Sequence, residues 1–338
     1  MKKLTYVVLF LILSFQPSWS QININRVLAA GAEDTKLFAE NYLTPGLDAV
    51  AYSLSSGWFT SAKSKKLGQF ELSFIGNAAF VSSSQKSFEL NTADYNFLEF
   101  ENGSSIQRVA TVLGENDPSI QALAVFEDEN GNQQSVGFTL PQGLARTGLD
   151  QVPTAFPQLS IGFLGGLEFK FRYLPEIESD DGSLQYYGVG VQNEISDWIP
   201  GFKLLPIHLG LAANYSVFKG DIKLGDTPIV DTNNGFLESE FSVWSFSGLV
   251  STKLPVINFY AGLSYISASS DFGLKGDYAL NEGVNSGETI RDPFVTSSSV
   301  NGFRGTIGAK LTLAFFRIHA DYSIQEFNTV SAGISFGI

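Results

Sequence analysis

The chain of 338 residues has no cysteine, one methionine and two histidines. Without thiols there can be no disulfide, no thiolate metal site, no cysteine nucleophile and no lipid-modified N-terminal cysteine. A zinc centre built on His208 and His319 would need carboxylates to complete it. No metal-ligand spacing is visible, so neither metal nor cofactor is expected. Charge is scarce too: 16% of residues are charged, where a soluble domain has about 25%. Acidic residues outnumber basic ones 34 to 21, and the net charge of −13 argues against nucleic acid as a partner. No Gly-x-Ser-x-Gly elbow and no phosphate-cradling glycine loop occur, and no enzymatic activity is expected.

Apolar runs are short. Lys2-Lys3, the run Leu4–Phe15 and the small residues Ser18 and Ser20 form the three parts of a secretory signal peptide over residues 1–20, cut before Gln21. The run falls short of the roughly 20 residues that span a bilayer, and no later stretch approaches that length. A helical membrane protein is excluded for the exported chain.

Strict alternation is what the chain does have. Phe70, Leu72, Phe74, Gly76, Ala78 and Phe80 oppose Glu71, Ser73 and Asn77. Ile207–Phe218, Phe303–Leu313, Phe316–Gln325 and Val330–Ile338 repeat the pattern, as do Leu167–Leu174, Leu184–Ile195, Leu237–Leu254 and Ile257–Ser267. Strand side chains alternate between faces, so each segment has one apolar and one polar face. A soluble sandwich uses this pattern in strands of roughly 5–6 residues. A transmembrane barrel uses strands of about 9–11, apolar outward. The segment lengths favour an all-β transmembrane antiparallel barrel over residues 68–338; a secreted or periplasmic all-β protein is the other reading. Aromatics support the membrane reading by falling in two bands, Trp198, Phe259, Phe315, Phe316 and Phe336 at one end, Tyr187, Tyr215, Trp244 and Phe303 at the other.

Connections alternate between short and long, as in bacterial outer-membrane barrels with short periplasmic turns. Gly165–Gly166, Pro255–Val256 and Ala314–Phe315 are tight; Pro175–Ser183, Lys219–Phe236 and Ala268–Gly302 are long. Glu326–Asn328 is a short outer hairpin that departs from the rule. Residues 82–154 are polar and alternate poorly. If Arg108–Leu113, Ala122–Phe126 and Ser135–Leu140 all span, the barrel has about 14 strands; if some do not, 12.

Residues 21–67 read differently. Ile24, Val27, Leu28, Gly31, Thr35, Phe38 and Tyr42 follow helical spacing, and Pro45-Gly46 is expected to stop the helix. A barrel wider than eight strands needs a plug or keeps a lumen, so this segment is a partly helical plug or, alternatively, a periplasmic arm. The order of Ala39-Glu40-Asn41-Tyr42-Leu43-Thr44-Pro45-Gly46, Ala51-Tyr52-Ser53-Leu54-Ser55-Ser56-Gly57-Trp58-Phe59 and a first strand resembles FadL-type outer-membrane proteins. It resembles more closely an uncharacterised outer-membrane family distantly similar to them. Leu167–Pro175, Tyr187–Val191 and Trp198-Ile199-Pro200 extend the likeness. The chain departs from FadL-type proteins by ending in Ile338 rather than an aromatic and by lacking a clear Asn-Pro-Ala hatch motif. The resemblance implies a Gram-negative outer-membrane location and passive passage of a hydrophobic or amphipathic, fatty-acid-like molecule past the plug. Outer-membrane lipid is then the surrounding partner, and Phe38, Tyr42, Tyr52, Trp58 and Phe59 are the plug candidates for ligand contact. A surface scaffold binding a protein partner through its acidic loops is the alternative.

Lumen-facing charges would be Glu71, Glu168, Lys170, Arg172, Arg304, Lys310, Arg317, His319 and Asp321, because Lys or Arg facing lipid at the midplane costs roughly 2–4 kcal/mol. They form either a constriction that meets a substrate carboxylate or an ion-pair network bracing barrel against plug. His319, Asp321 and Ser323 offer nucleophile, base and orienter types. Spaced about 6.6–6.8 Å apart along one strand face, they are too far apart for a ready triad. Glu178–Asp181 and Asp231–Gly235 lack calcium-loop spacing and read as turns.

Overall fold

The computed structural model describes residues 24–128, 130–147 and 150–338; the signal-peptide reading of residues 1–20 lies outside them. A turn of 3-10 helix, Ile24–Ala30, breaks at Gly31 (φ 88°) and leads into helix α1, Ala32–Leu54. An irregular stretch, residues 55–69, leads to strand β1 (Phe70–Phe80). An insertion follows with short strands β2 (Ser87–Asn91), β3 (Leu98–Phe100), β4 (Ile106–Ala110), β5 (Gln121–Glu127) and β6 (Gln133–Thr139). The wall resumes with β7 (Gln151–Gly162), β8 (Leu167–Ser179), β9 (Gly182–Glu194), β10 (Ile207–Lys223), β11 (Val230–Thr252) and β12 (Ile257–Leu280). After the short β13 (Thr289–Arg291) it closes with β14 (Phe294–Leu313), β15 (Phe316–Ile324) and β16 (Thr329–Gly337).

Every neighbour in the wall is antiparallel, and β1 pairs with both β7 and β16 while β11 pairs with β12. The sheet is therefore a closed barrel of ten strands, with β13 attached to the end of β12. Closure removes the free edges an open sheet would expose.

Ten strands correct the expected 14 or 12. The segments counted from residues 82–154 do form strands, but these run only 3–7 residues and pair among themselves as β2–β4 and β3–β5–β6. Strands that short cannot cross hydrocarbon needing about 9–11 residues, and their polar faces have no need to. The insertion instead sits over the barrel's long-loop end, where Leu90, Leu98, Phe100, Val109, Val112 and Ala124 share one apolar core with α1 and the tops of β11, β12 and β14.

The wall is uneven in height. β15 and β16 have 9 residues each, whereas β11, β12 and β14 have 23, 24 and 20. Three expected loops are therefore largely strand: β8 runs to Ser179 and β9 starts at Gly182, β10 runs to Lys223 and β11 starts at Val230, and β12 and β14 take most of Ala268–Gly302. Asn233-Asn234-Gly235, expected as a loop turn, is a bulge inside β11, with Asn234 at φ 50°.

Along the tall strands the alternation changes phase at one level. On β12 the outward positions run Ile257, Phe259, Ala261, Leu263 and Tyr265, then Ser267, Ser269 and Asp271. Its inward positions run Asn258, Tyr260, Gly262 and Ser264, then Ile266, Ala268, Ser270, Phe272 and Leu274. β11 switches outward from Glu238, Glu240 and Ser242 to Trp244 and Phe246; β10 switches from Lys219 and Asp221 to Val217 and Tyr215. The two tiers have opposite polarity. The upper, long-loop tier is apolar inside and polar outside; the lower, short-turn tier is polar inside and apolar outside.

Aromatics mark the seam. Tyr215 packs on Trp244 (ring centroids 4.6 Å) and Tyr265 on Phe303 (5.4 Å), with Tyr187 beside them in register. At the far rim Phe316 meets Phe336 (5.3 Å), near exposed Phe315 and Phe259. Leu263 is 76% exposed and Phe303 80%, whereas Arg172, Arg304 and His319 are buried. From Ile257 to Tyr265 the apolar tier spans nine residues, about 30 Å of strand. At a tilt near 40° that is about 23 Å of height, close to the roughly 25 Å apolar band of an outer-membrane barrel.

Candidate functional site

The bore is filled by residues 24–67, which enter at the long-loop end and thread down to the short-turn end before turning into β1. At the top, Asn25 donates to the Gly225 carbonyl (3.0 Å) between β10 and β11. The Asp34 carboxylate in the first turn of α1 receives the backbone N–H groups of Asn96, Phe97 and Leu98 at 2.8–3.1 Å. An acid at this end also complements the helix dipole. At the bottom, Lys65 reaches Glu168 (3.2 Å) and Glu71 (3.3 Å).

Contrary to expectation, Pro45-Gly46 does not end the helix, which continues to Leu54. Proline removes one backbone donor and crowds the preceding turn. The insertion adds a bond one residue beyond the Asn41 carbonyl whose helical donor Pro45 removes: the Val112 N–H donates to the Tyr42 carbonyl (2.8 Å). Gly46 permits that approach, since a Cβ there would stand 2.4 Å from the Val112 side chain.

The C-terminal end of α1 stops in the lower tier, where its orphan carbonyls meet wall side chains. Arg172 donates to the Ser56 carbonyl (3.1 Å) and stacks on Trp58, 4.0 Å from the ring centroid. Arg304 donates to the Ser55 and Ser56 hydroxyls (3.0 and 3.2 Å), and Asn77 to the Ser53 carbonyl (3.1 Å). Cations at a helix C-terminus also complement its dipole. Below, Lys170 donates to the Trp58 carbonyl (2.7 Å) and Gln192 to that of Ser61 (2.9 Å), while the Ala62 N–H donates to Ser251 (3.0 Å).

The predicted lumen charges face inward and are largely engaged with the plug or with each other. Arg317 lies 3.0 Å from Glu71, and Lys170 lies 3.7 Å from Glu168. Asp321 accepts from the Tyr260 hydroxyl (2.9 Å). His319 is buried with neither ring nitrogen hydrogen-bonded, and the Ser323 hydroxyl pairs with Thr306 (2.8 Å), so no hydrogen bond links His319, Asp321 and Ser323. Lys310 also points into the bore, opposite His319 in the β14–β15 register. Among the described residues no group of three His, Asp or Glu could hold a metal ion.

All five plug aromatics are buried against protein. Phe38 and Tyr42 stack on each other (5.5 Å) and face the insertion, where the Tyr42 hydroxyl donates to the Gln142 carbonyl (2.6 Å). Tyr52 packs on Phe327 and donates to Glu326 (3.3 Å). Trp58 and Phe59 seat against glycines: a Cβ on Gly188 would lie 3.0 Å from Trp58, and one on Gly262 2.6 Å from Phe59. Burial, with the Glu326 carboxylate nearby, lifts Asp48 on α1 to about 6.

The open space adjoins a different face of α1. A cavity of about 230 Å³ lies between Leu43, Leu47 and Val50 on the helix, Val112 and Leu113 on the insertion, and Leu184, Phe218, Leu237 and Phe241 on the wall. Leu184 points inward yet is 36% exposed. None of the five predicted aromatics lines this cavity. Sequence reasoning weighted ring size, while helical spacing of the aliphatic residues, Leu43, Leu47 and Val50, was the available signal.

The family model that matches spans residues 1–338. The chain belongs to DUF6588, a family of unknown function. No curated relative matches it. Similar solved structures include Ail, the attachment invasion locus protein of Yersinia pestis, at 9% identity over 80% of this chain and 99% of that one, with TM-score 0.25. The transport unit of the autotransporter AIDA-I from Escherichia coli aligns at 9% identity, 88% and 97% coverage and TM-score 0.30. A FadL homologue from Pseudomonas aeruginosa aligns at 10% identity, 80% and 89% coverage and TM-score 0.21. Overlaps this slight carry no inference, and the barrel rests on its own strand register.

Proposed function

We propose that this DUF6588 protein spans the outer membrane of a Gram-negative bacterium and admits a small hydrophobic or amphipathic molecule from its long-loop face. The reversal of polarity along the wall supports the membrane setting: only hydrocarbon makes a belt of outward Leu, Ile and Phe favourable around a polar bore. Short turns then face the periplasm and the insertion faces outward.

The observation that carries the ligand reading is the apolar cavity between α1 and β8–β11. At 230 Å³ it is just below the roughly 300–1,000 Å³ usual for small-molecule sites, a size for a short alkyl chain. Onward passage requires residues 55–67 to shift, because they occupy the lower bore. The process is passive and needs no chemistry from His319 or Asp321. A direct test is calorimetric titration of decanol into the protein in phosphatidylcholine nanodiscs, with empty discs subtracted. Saturable binding that Leu47→Trp abolishes is expected; equal binding by the two proteins would sink the cavity as the ligand site.

A further inference from the structure

We infer that the lower bore holds a small inorganic anion of halide size, seated between His319 on β15 and Lys310 on β14. The site is separate from the upper cavity and does not depend on its ligand. It starts from an unanswered donor. His319 is 2% exposed, yet neither ring nitrogen has a hydrogen-bond partner. Whichever nitrogen carries the proton, one N–H is buried without an acceptor, which costs about 1–3 kcal/mol unless a water or an ion supplies one. The ring lies across Gly333, where a Cβ would stand 2.5 Å from Cε1, so its neighbour on β16 has no side chain to offer.

Charge decides what fills the gap. Lys310 is directly opposite His319 in the β14–β15 register, and opposed strand residues have Cβ atoms about 4.5–5.5 Å apart. Among the described residues Lys310 makes no ion pair and no hydrogen bond, because the nearby carboxylates are taken. Glu71 lies 3.3 Å from Lys65 and 3.0 Å from Arg317, and Glu168 lies 3.2 Å from Lys65 and 3.7 Å from Lys170. The Asp321 carboxylate, one inward position above His319, accepts from the Tyr260 hydroxyl at 2.9 Å. The short-turn end of the bore thus sets Lys65, Lys170, Lys310 and Arg317 against Glu71 and Glu168, an excess of two positive charges. A water would answer the imidazole and leave that excess uncompensated inside the wall, where an unpaired charge is costly. An anion answers both. Its donors are few, since the inward hydroxyls one row below, Ser73 and Ser335, bond each other at 2.8 Å. A monatomic ion suits so small a set better than a tetrahedral oxyanion.

The test is equilibrium dialysis of radiolabelled chloride against the protein in phosphatidylcholine nanodiscs, in gluconate buffer of fixed ionic strength, with empty discs subtracted. Saturable uptake of a single chloride per chain is expected. Lys310→Met and His319→Leu should each weaken it about fivefold or more, as the loss of one donor implies. Lys219→Gln, on the outer face of the upper tier, should leave it unchanged. Heat-modifiable mobility on gels checks that each variant remains a folded barrel. Bromide-soaked crystals locate the ion without any variant, and an anomalous peak between Lys310 and His319 is expected. No saturable uptake, equal uptake by the parent and both bore variants, an equal loss in Lys219→Gln, or anomalous peaks only elsewhere would each overturn the site. Decanol binding in the upper cavity is read separately and stands or falls without it.

Discussion

The two tiers of this barrel solve the same packing problem with opposite chemistry. In the upper tier, Phe241, Phe272 and Leu274 project into an apolar core shared with α1 and the insertion, while Glu238, Glu240 and Asp271 face out. In the lower tier, Ser247, Ser264, Arg304 and Thr306 project inward while Phe246, Leu263 and Ile307 face out. The same strands run through both. What changes is the solvent on the outer face, and with it the means of holding the plug. Above the seam the hydrophobic effect seats the helix without directional constraint. Below it, hydrogen bonds and ion pairs hold the irregular segment residue by residue, which is stronger in register and costly to break in part.

The largest expected effect comes from breaking that lower-tier anchorage. Arg172→Ala removes the donor to the Ser56 carbonyl, the partner of Gln158 and the platform under Trp58. A loss of about 3 kcal/mol is expected for a buried charged group in a hydrogen-bonded network. Single-channel conductance should rise at least tenfold as the plug loosens. An unchanged conductance alongside a lowered melting temperature would show that the plug is not held by this contact.

A sharper test of the seam uses one face of one strand. Leu263→Arg places a cation outward in the lower tier and is expected to cost roughly 2–4 kcal/mol of folding stability in lipid. Ser269→Arg lies six residues along the same outward face, above the seam, and is expected to change stability by no more than about 0.5 kcal/mol. Equal costs in urea-unfolding titrations would remove the membrane boundary from where the aromatics place it.

The smallest effect concerns Asp48, whose folded value of about 6 lies above the roughly 3.9 of an unfolded chain. A raised carboxylate favours the folded state when protonated. Stability should therefore increase as pH falls through 6 and level off below about 4, by about 1 kcal/mol after allowing for partial exposure. Asp48→Asn should flatten this component in melting curves between pH 7.5 and 4. A slope as steep in the variant as in the parent would assign the dependence to another group.

Much of the wall was legible because strand geometry writes itself into period-two alternation: Phe70–Phe80 and Phe316–Ile324 show on the page which face is apolar. The phase change was legible too, in Tyr265-Ile266 and Val217-Phe218, where two large apolar residues fall side by side and the apolar set changes parity. Reading each segment as one pattern hid it and turned tall strands into loops. The number of spanning strands was harder, because the short strands of residues 82–154 owe their existence to pairing within the insertion and not to a face they bury in lipid.

The site divides in the same way. Inward placement of Arg172, Arg304 and Asp321 follows from parity and the cost of burying charge in hydrocarbon. The seats beneath Trp58 and Phe59 left only a faint trace, glycines at the inward positions 188, 190 and 262, because a hole is made by what a residue lacks. Sequence by itself determined the barrel, its inside-out lower tier and the presence of a separate N-terminal segment, since these depend on local periodicity. Only the tertiary structure decided the closure at ten strands, the continuation of α1 past Pro45 and the cavity beside Leu47. Each depends on groups distant in the chain meeting across the bore, and no local pattern records such a meeting.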